Sequence, residues 1–175
     1  IGGVACTLLY PPLKYRALGD AVIFIAYALL PMLGTAYVAT GVMDWSTLWI
    51  ALPVGLITVA ILHANNTRDI PTDRRAHIRT LAMELGGRVS VFLYAFEALF
   101  PFGWIVGCAT GGVFSWWTLL TLPAMWLAGS NVCQMKRFFS VGREGIVSVD
   151  ERTAQLQLLF SLLLIMSFVV ARMSV

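Results

Sequence analysis

The chain has 175 residues, of which 59% are hydrophobic and 12% charged, with a formal net charge of +3 and a mean hydropathy of +0.81. A soluble domain of that composition would lack a polar coat, so lipid is the expected solvent for most of the surface. No nucleic-acid partner is expected. Cys6, Cys108 and Cys133 are odd in number, stand in apolar runs and form no Cys-x-x-Cys pair, so they suggest neither a disulfide framework nor a zinc site and are expected core residues.

The apolar piece 1–9 is too short to cross a bilayer, which takes about 20 residues. It has no basic flank or small-residue cleavage site of a signal peptide, and is read as the tail of a preceding span. Pro11 and Pro12 then stop any helix, and Lys14 and Arg16 come next at a membrane face. Residues 21–43 carry no charge and make the first full span, with Pro31 and Gly34 inside it. Residues 45–62 make the second. After a polar stretch to Arg88, residues 89–110 make a third, interrupted by Glu97. Residues 116–135 make a fourth, with an aromatic start, and 154–171 the last. The expected fold class is therefore all-α integral membrane, with five full transmembrane helices plus a stub, in one polytopic domain over 1–175.

Cations test that span count, because Lys and Arg in short loops gather on the cytoplasmic side. Counting alternate loops puts eleven of the twelve Lys and Arg residues on one side, with only Arg172 opposite. A missed or invented span would have scrambled that segregation.

On that cation-rich side lies Asn65-Asn66-Thr67-Arg68-Asp69-Ile70-Pro71-Thr72-Asp73, continuing through Arg79. Arginines beside a span are commonly topology signals and lipid headgroup contacts. The acids and amides need another reason. Asn65, Asp69 and Asp73 recur every four residues, which places them on one side of a helix, where hard oxygen donors hold Mg²⁺ and arginines bind a diphosphate. Pro71 would kink or restart that helix. His63 reads as an interhelical hydrogen-bond donor, since no second histidine supports a ligand role. Glu97, an acid inside a span, is functional by default, with a cavity-facing position and a helix-helix hydrogen bond both open.

The string Asn65-Asn66-Thr67-Arg68-Asp69 with Asp73 and Arg79-Thr80-Leu81-Ala82 resembles the second aspartate-rich motif of the UbiA-superfamily membrane prenyltransferases. The wording is most similar to the branch that prenylates 1,4-dihydroxy-2-naphthoate in menaquinone synthesis, including its animal relative. Tyr10 and Lys14 resemble that superfamily's Tyr-x-x-x-Lys element, and Ala17-Leu18-Gly19-Asp20 resembles the residues just after it. Arg152-Thr153-Ala154-Gln155 resembles the entry to its final helix. The resemblance implies the C-terminal part of a nine-helix bundle in which two aspartate-rich motifs face each other across a cavity. Only the second motif is present, so the chain alone is expected to be inactive. It further implies Asp69, Asp73 and Asn65 as Mg²⁺ ligands and Arg68, Lys14 and Arg79 as diphosphate ligands. Asn65 and Asn66 would contact substrate, and Tyr10 the diphosphate or the reacting carbon. His77-Ile78 departs from the Gly-Lys or Gly-Ile of that branch. His77 then reads as a polar cap residue or as a proton acceptor.

The implied partners are a polyprenyl diphosphate, an aromatic acceptor and the lipid bilayer; the oligomeric state is not indicated. Phe92, Tyr94, Phe96 and Trp104 are candidates to steady an allylic cation, against ordinary helix packing. Acceptors such as 4-hydroxybenzoate or homogentisate are alternatives within the superfamily. A transporter subunit is the alternative from another class, although its site should lie near the bilayer midplane rather than at one face.

Overall fold

The computed structural model of the chain describes residues 17–174, so Cys6, Tyr10, Lys14 and the stub 1–9 lie outside the described residues. Every regular element among the described residues is helical. Four helices are long and apolar enough to cross a membrane.

Helix α1 (Gly19–Thr40) is continuous, with one π turn over Ile25–Leu29 just before Pro31. It stops at Gly41, whose φ of 74° is the left-handed conformation that glycine adopts without a Cβ penalty. Asp44 then accepts the Ser46 N–H at 2.9 Å, and these bonds to Ser46 hold its carboxyl below the usual range.

Helix α2 (Leu48–Arg75) runs through both Pro53 and Pro71. Proline has no N–H to give the carbonyl four residues back. At Pro53 the orphaned carbonyl is that of Trp49, which accepts the indole N–H of Trp104 at 2.9 Å while the two rings stack 5.2 Å apart. The helix that carries the expected span 45–62 therefore continues about four turns past the end that hydropathy suggests, and the Asn65 cluster sits within it.

Helix α3 (Leu81–Thr110) is bent at Gly86, where φ 72° and ψ 162° interrupt the helical backbone. The expected fourth span, 116–135, is not one α-helix. Trp116–Ala124 winds as a 3₁₀ helix and continues as α4 (Met125–Met135). Thr118 and Thr121 turn their hydroxyls back to carbonyls three residues before them, and Pro123 withholds an N–H, all of which favour the tighter winding. At about 2.0 and 1.5 Å per residue the two pieces together still extend roughly 34 Å, enough to cross a hydrocarbon core. Two short helical segments, α5 (Phe138–Val141) and a 3₁₀ turn at Gly142–Ile146, lead to α6 (Val149–Met173).

Lipid supplies little hydrophobic drive between helices, so close packing of small residues does that work. Ala51, Ala60, Ala64, Ala98 and Ala128 are all buried at these crossings. At Gly55 an added Cβ would lie 2.5 Å from the Phe24 ring and 2.6 Å from the Ala28 Cβ, which shows how tightly α1 crosses α2. One core cluster gathers Tyr94, Met135, Ile146 and Val149; the other gathers Ile57, Phe102, Leu156 and Phe160. Cys108 is buried as expected, but Cys133 faces outward from α4, since the inward face of that helix is taken by Ala128, Asn131, Val132 and Met135.

The polar ends meet. Ala17 N–H bonds to the Arg79 carbonyl, Arg143 to Thr72, and Arg68 to Asp150, so the segments flanking α1, α2 and α6 share one end of the bundle. That arrangement agrees with the cation count.

Candidate active site on helix α2

The helix that carries Asn65 also carries Arg68, Asp69 and Asp73, so its 3.6-residue period aligns the oxygen donors without help from any loop. Asn65, Asp69 and Asp73 are all half-buried. Arg68 is the centre of the group. Its Nε and one terminal nitrogen grip the Asp69 carboxylate at 3.1 and 3.2 Å, and that same terminal nitrogen donates to Asn65 Oδ1. Its other terminal nitrogen donates to Asp150 Oδ2 at 2.6 Å and to the Val147 carbonyl at 3.2 Å. A guanidinium has five N–H donors, and five bonds are made.

Arg68 is thus committed to the protein. It holds its neighbours in place with all of its N–H donors engaged within the protein. Asp150, at the first turn of α6, does not stand out in the sequence. Its signal is faint: an acid at a helix start ordinarily reads as a macrodipole partner.

Asn65 and Asp150 border a cleft of about 290 Å³ whose remaining walls are Ile23, Tyr27, Thr58, Ile61 and Leu62. Polar groups at one end and an apolar channel between α1 and α2 give the cleft an amphipathic character suited to a ligand with a charged head and a hydrocarbon tail.

The pattern of the UbiA prenyltransferase family matches residues 1–137, more than three quarters of the chain. The chain belongs to the UbiA prenyltransferase family. It is 36% identical over 169 residues to a UbiA prenyltransferase domain-containing protein 1 homolog of Drosophila melanogaster, covering 95% of this chain and 45% of that protein. The Xenopus tropicalis UbiA prenyltransferase domain-containing protein 1 is 36% identical over 174 residues, covering 97% and 48%, and the Homo sapiens one 33% identical over 174 residues, covering 97% and 49%. The chain spans about half the length of the curated relatives it matches.

Within this UbiA chain the other expected site residues fall in different places. Asn66 is buried in the bundle rather than at the cleft, and its amide donates to Asp20 Oδ1 at 3.4 Å. Arg79 is exposed beyond α2 and pairs with Glu84 at 2.7 Å. Tyr10 and Lys14 lie outside the described residues.

His77 has φ 56° and stands where α2 stops: Ile78 N–H reaches back to the Asp73 carbonyl at 2.9 Å and His77 N–H to the Arg74 carbonyl at 3.4 Å. These two bonds form a Schellman stop with His77 in its left-handed position, the position glycine usually takes. The departure from Gly at His77 is thereby placed in a helix stop rather than in the cleft.

The aromatic candidates do not converge on the Asn65 cluster. Tyr94 is fully buried, its hydroxyl bonded to Thr153 Oγ1 at 2.7 Å. Phe92 is 76% exposed on the outer face of α3. Phe96, Phe100 and Trp104 form an i, i+4, i+8 ladder with centroids 4.8 and 5.9 Å apart that ends on Trp49. Trp49 precedes Asn65 by sixteen residues of α2, roughly 24 Å at 1.5 Å per residue. Tyr94, Phe96 and Trp104 thus pack against other side chains, while Phe92 faces outward.

Beneath the Asn65 cluster lies a second polar group. His63 is fully buried, with Nδ1 3.0 Å from Asp20 Oδ2 and Nε2 3.2 Å from the Ser90 carbonyl oxygen. The interhelical hydrogen-bonding role expected of His63 is what these two contacts describe. Glu97 is 4% exposed, and its Oε2 has no hydrogen-bond partner.

Proposed function

We propose that the chain forms the C-terminal part of a membrane enzyme that transfers a polyprenyl group from an allylic polyprenyl diphosphate to an aromatic acceptor. The observation that carries this reading is the joining of the Asn65, Asp69 and Asp150 oxygens, through Arg68, to the polar end of an apolar cleft. The head of the substrate would lie against α2 and its tail along Ile23, Tyr27, Ile61 and Leu62.

Asn65, Asp69 and Asp73 form a set of hard oxygen donors at one helical period, which fits Mg²⁺. When bound there, the ion would neutralise charge developing on the departing diphosphate. The residues of the chain do the rest. Arg68 fixes the Asn65 amide and the Asp69 carboxylate in one orientation before substrate arrives, which removes reorganisation from the transition state. The apolar walls of the cleft keep water from the allylic carbon until the aromatic carbon attacks it. Lys14 and Arg79 are proposed to contact the outer phosphate, and Tyr10 the reacting end of the substrate. The facing wall, with a first aspartate-rich motif, is proposed to come from the part of the enzyme corresponding to the other half of the relatives' length.

For the acceptor we propose 1,4-dihydroxy-2-naphthoate, in menaquinone synthesis, on the wording of Asn65 to Asp73. The cation-rich end is proposed to face the cytoplasm. The test is transfer by the full-length protein in membranes with Mg²⁺, a radiolabelled polyprenyl diphosphate and either dihydroxynaphthoate or 4-hydroxybenzoate. Asp69→Asn and Asp73→Asn should each lower the rate at least about 100-fold, the scale on which loss of one electrostatic contact in a transition state is felt. Wild-type rates in both variants would remove the site, and transfer to 4-hydroxybenzoate alone would change the acceptor.

A further inference from the structure

Asp20, His63 and Glu97 come from three different helices and present ligand atoms that all lie within 4.8 Å of one another, in the interior of the bundle. We propose that these three residues hold a divalent transition-metal ion of the Zn²⁺ or Mn²⁺ kind, at a site separate from the diphosphate motif.

The tautomer of His63 is set by its partners. The Ser90 carbonyl 3.2 Å from Nε2 only accepts hydrogen bonds, so Nε2 carries a hydrogen. A neutral imidazole then turns the lone pair of Nδ1 toward Asp20 Oδ2, 3.0 Å away. Two lone pairs at that distance repel unless a proton or a metal ion lies between or beside them, so the contact is a hydrogen bond in the ion-free bundle and a ligand pair in the loaded one. Ligands about 2.1 Å from one metal stand about 3 Å apart at right angles and about 3.4 Å apart at the tetrahedral angle, so the 3.0 Å separation here lies at the short end of that range.

Glu97 points independently to a cation. Its carboxylate is almost wholly buried, joins the same cluster, and leaves Oε2 without a partner. Buried carboxylates persist when paired, protonated or metal-bound. Among the described residues no lysine or arginine forms an ion pair with Asp20, His63 or Glu97. A single proton between His63 and Asp20 leaves the trio one negative charge in excess, and a second proton on Glu97 removes that excess but still leaves Oε2 without a hydrogen-bond partner. A divalent ion balances two carboxylates and a neutral imidazole, and a side-chain rotation of Glu97 brings its oxygen in.

The surroundings match those of a ligand shell. Metal-bound histidines donate their other ring N–H to a carbonyl, as His63 does to Ser90, and ligating carboxylates are themselves hydrogen-bonded, as Asp20 is by Asn66 at 3.4 Å. One nitrogen and two carboxylates suit a borderline divalent ion better than Mg²⁺.

The test is metal analysis of the full-length protein in detergent, after incubation with ZnCl₂ or MnCl₂ and gel filtration. Wild type should retain about one equivalent, Glu97→Gln should lose retention at least about tenfold, and Asp69→Asn should keep it. Mn²⁺ bound to wild type should give a broadened electron paramagnetic resonance spectrum distinct from the hexaaqua ion, a readout that needs no variant to fold. Retention below about a tenth of an equivalent in wild type, or equal retention in Glu97→Gln, would assign the trio to a shared proton instead. Loss in Asp69→Asn with retention in Glu97→Gln would move the ion to the diphosphate motif.

Discussion

Arg68 and Asp150 meet at 2.6 Å although 82 residues separate them, and through that contact the last helix fixes the most distinctive motif of the chain. The pair is half-buried on both sides and belongs to a five-bond network, so it is worth more than an exposed ion pair.

Asp150→Asn should therefore loosen Arg68 and release Asn65 and Asp69 from their common orientation. The expected stability loss is about 1–2 kcal/mol, and transfer should fall more than stability accounts for, chiefly through kcat. Arg68→Lys should not preserve function, because an ammonium offers three donors against the five in use. Thermal unfolding in detergent and steady-state kinetics of both variants check the two statements together.

The Schellman stop at His77 makes a prediction of opposite sign. A non-glycine residue in the left-handed region costs about 1 kcal/mol or more per residue, and the His77 side chain is exposed at the end of α2. His77→Gly should raise stability by about 0.5–1 kcal/mol and leave transfer within about twofold of wild type, since the backbone bonds of the stop are kept. A large loss of transfer would return the ring to the acceptor site.

Each feature is legible from residues alone only as far as it depends on local sequence. Asn65, Asp69 and Asp73 share a face because of a period of 3.6, and period is a property of sequence; α2 continuing through Pro71 kept that spacing intact. Hydropathy marked the apolar parts of α1, α2, α3 and α6 but not their polar ends, because a helix can leave the hydrocarbon without ending. The winding at Trp116–Ala124 depends on hydroxyl back-bonds and a proline acting together, which no hydropathy window registers. The contacts of Asp150 and Asp20 were illegible for another reason. Each gains its meaning from a partner far away in the chain, Arg68 for one and His63 for the other, and a single sequence does not state contacts.

At the α1–α2 crossing, Gly55→Ala should be costly out of proportion to one methyl group. The added Cβ would fall 2.5 Å from Phe24 and 2.6 Å from Ala28, and Ala28 is part of the α1 backbone wall with no rotamer to yield. Overpacking of this kind costs about 1–3 kcal/mol. The cleft is formed between the same two helices, so the variant should also weaken prenyl diphosphate binding, seen as a raised KM. Gly34→Ala, where a Cβ would meet nothing within 4 Å, is the control and should leave both quantities unchanged.

Tyr94 separates packing from catalysis most cleanly. Its hydroxyl bonds Thr153 at 2.7 Å, and Thr153 in turn donates to the Val149 carbonyl at 2.6 Å, so the pair anchors α3 to the first turn of α6 beside Asp150. Tyr94→Phe keeps the ring and removes the hydroxyl bond, and should cost about 1 kcal/mol of stability. Were the ring a cation stabiliser, phenylalanine would largely serve and leucine would not. Were it an anchor, as its complete burial argues, Tyr94→Phe and Tyr94→Leu should lower the unfolding temperature in that order while kcat per folded molecule stays close to wild type. Unfolding and turnover measured on the same preparations decide between them, and a drop in kcat for Tyr94→Leu far beyond its loss of folded protein would place the ring against the substrate.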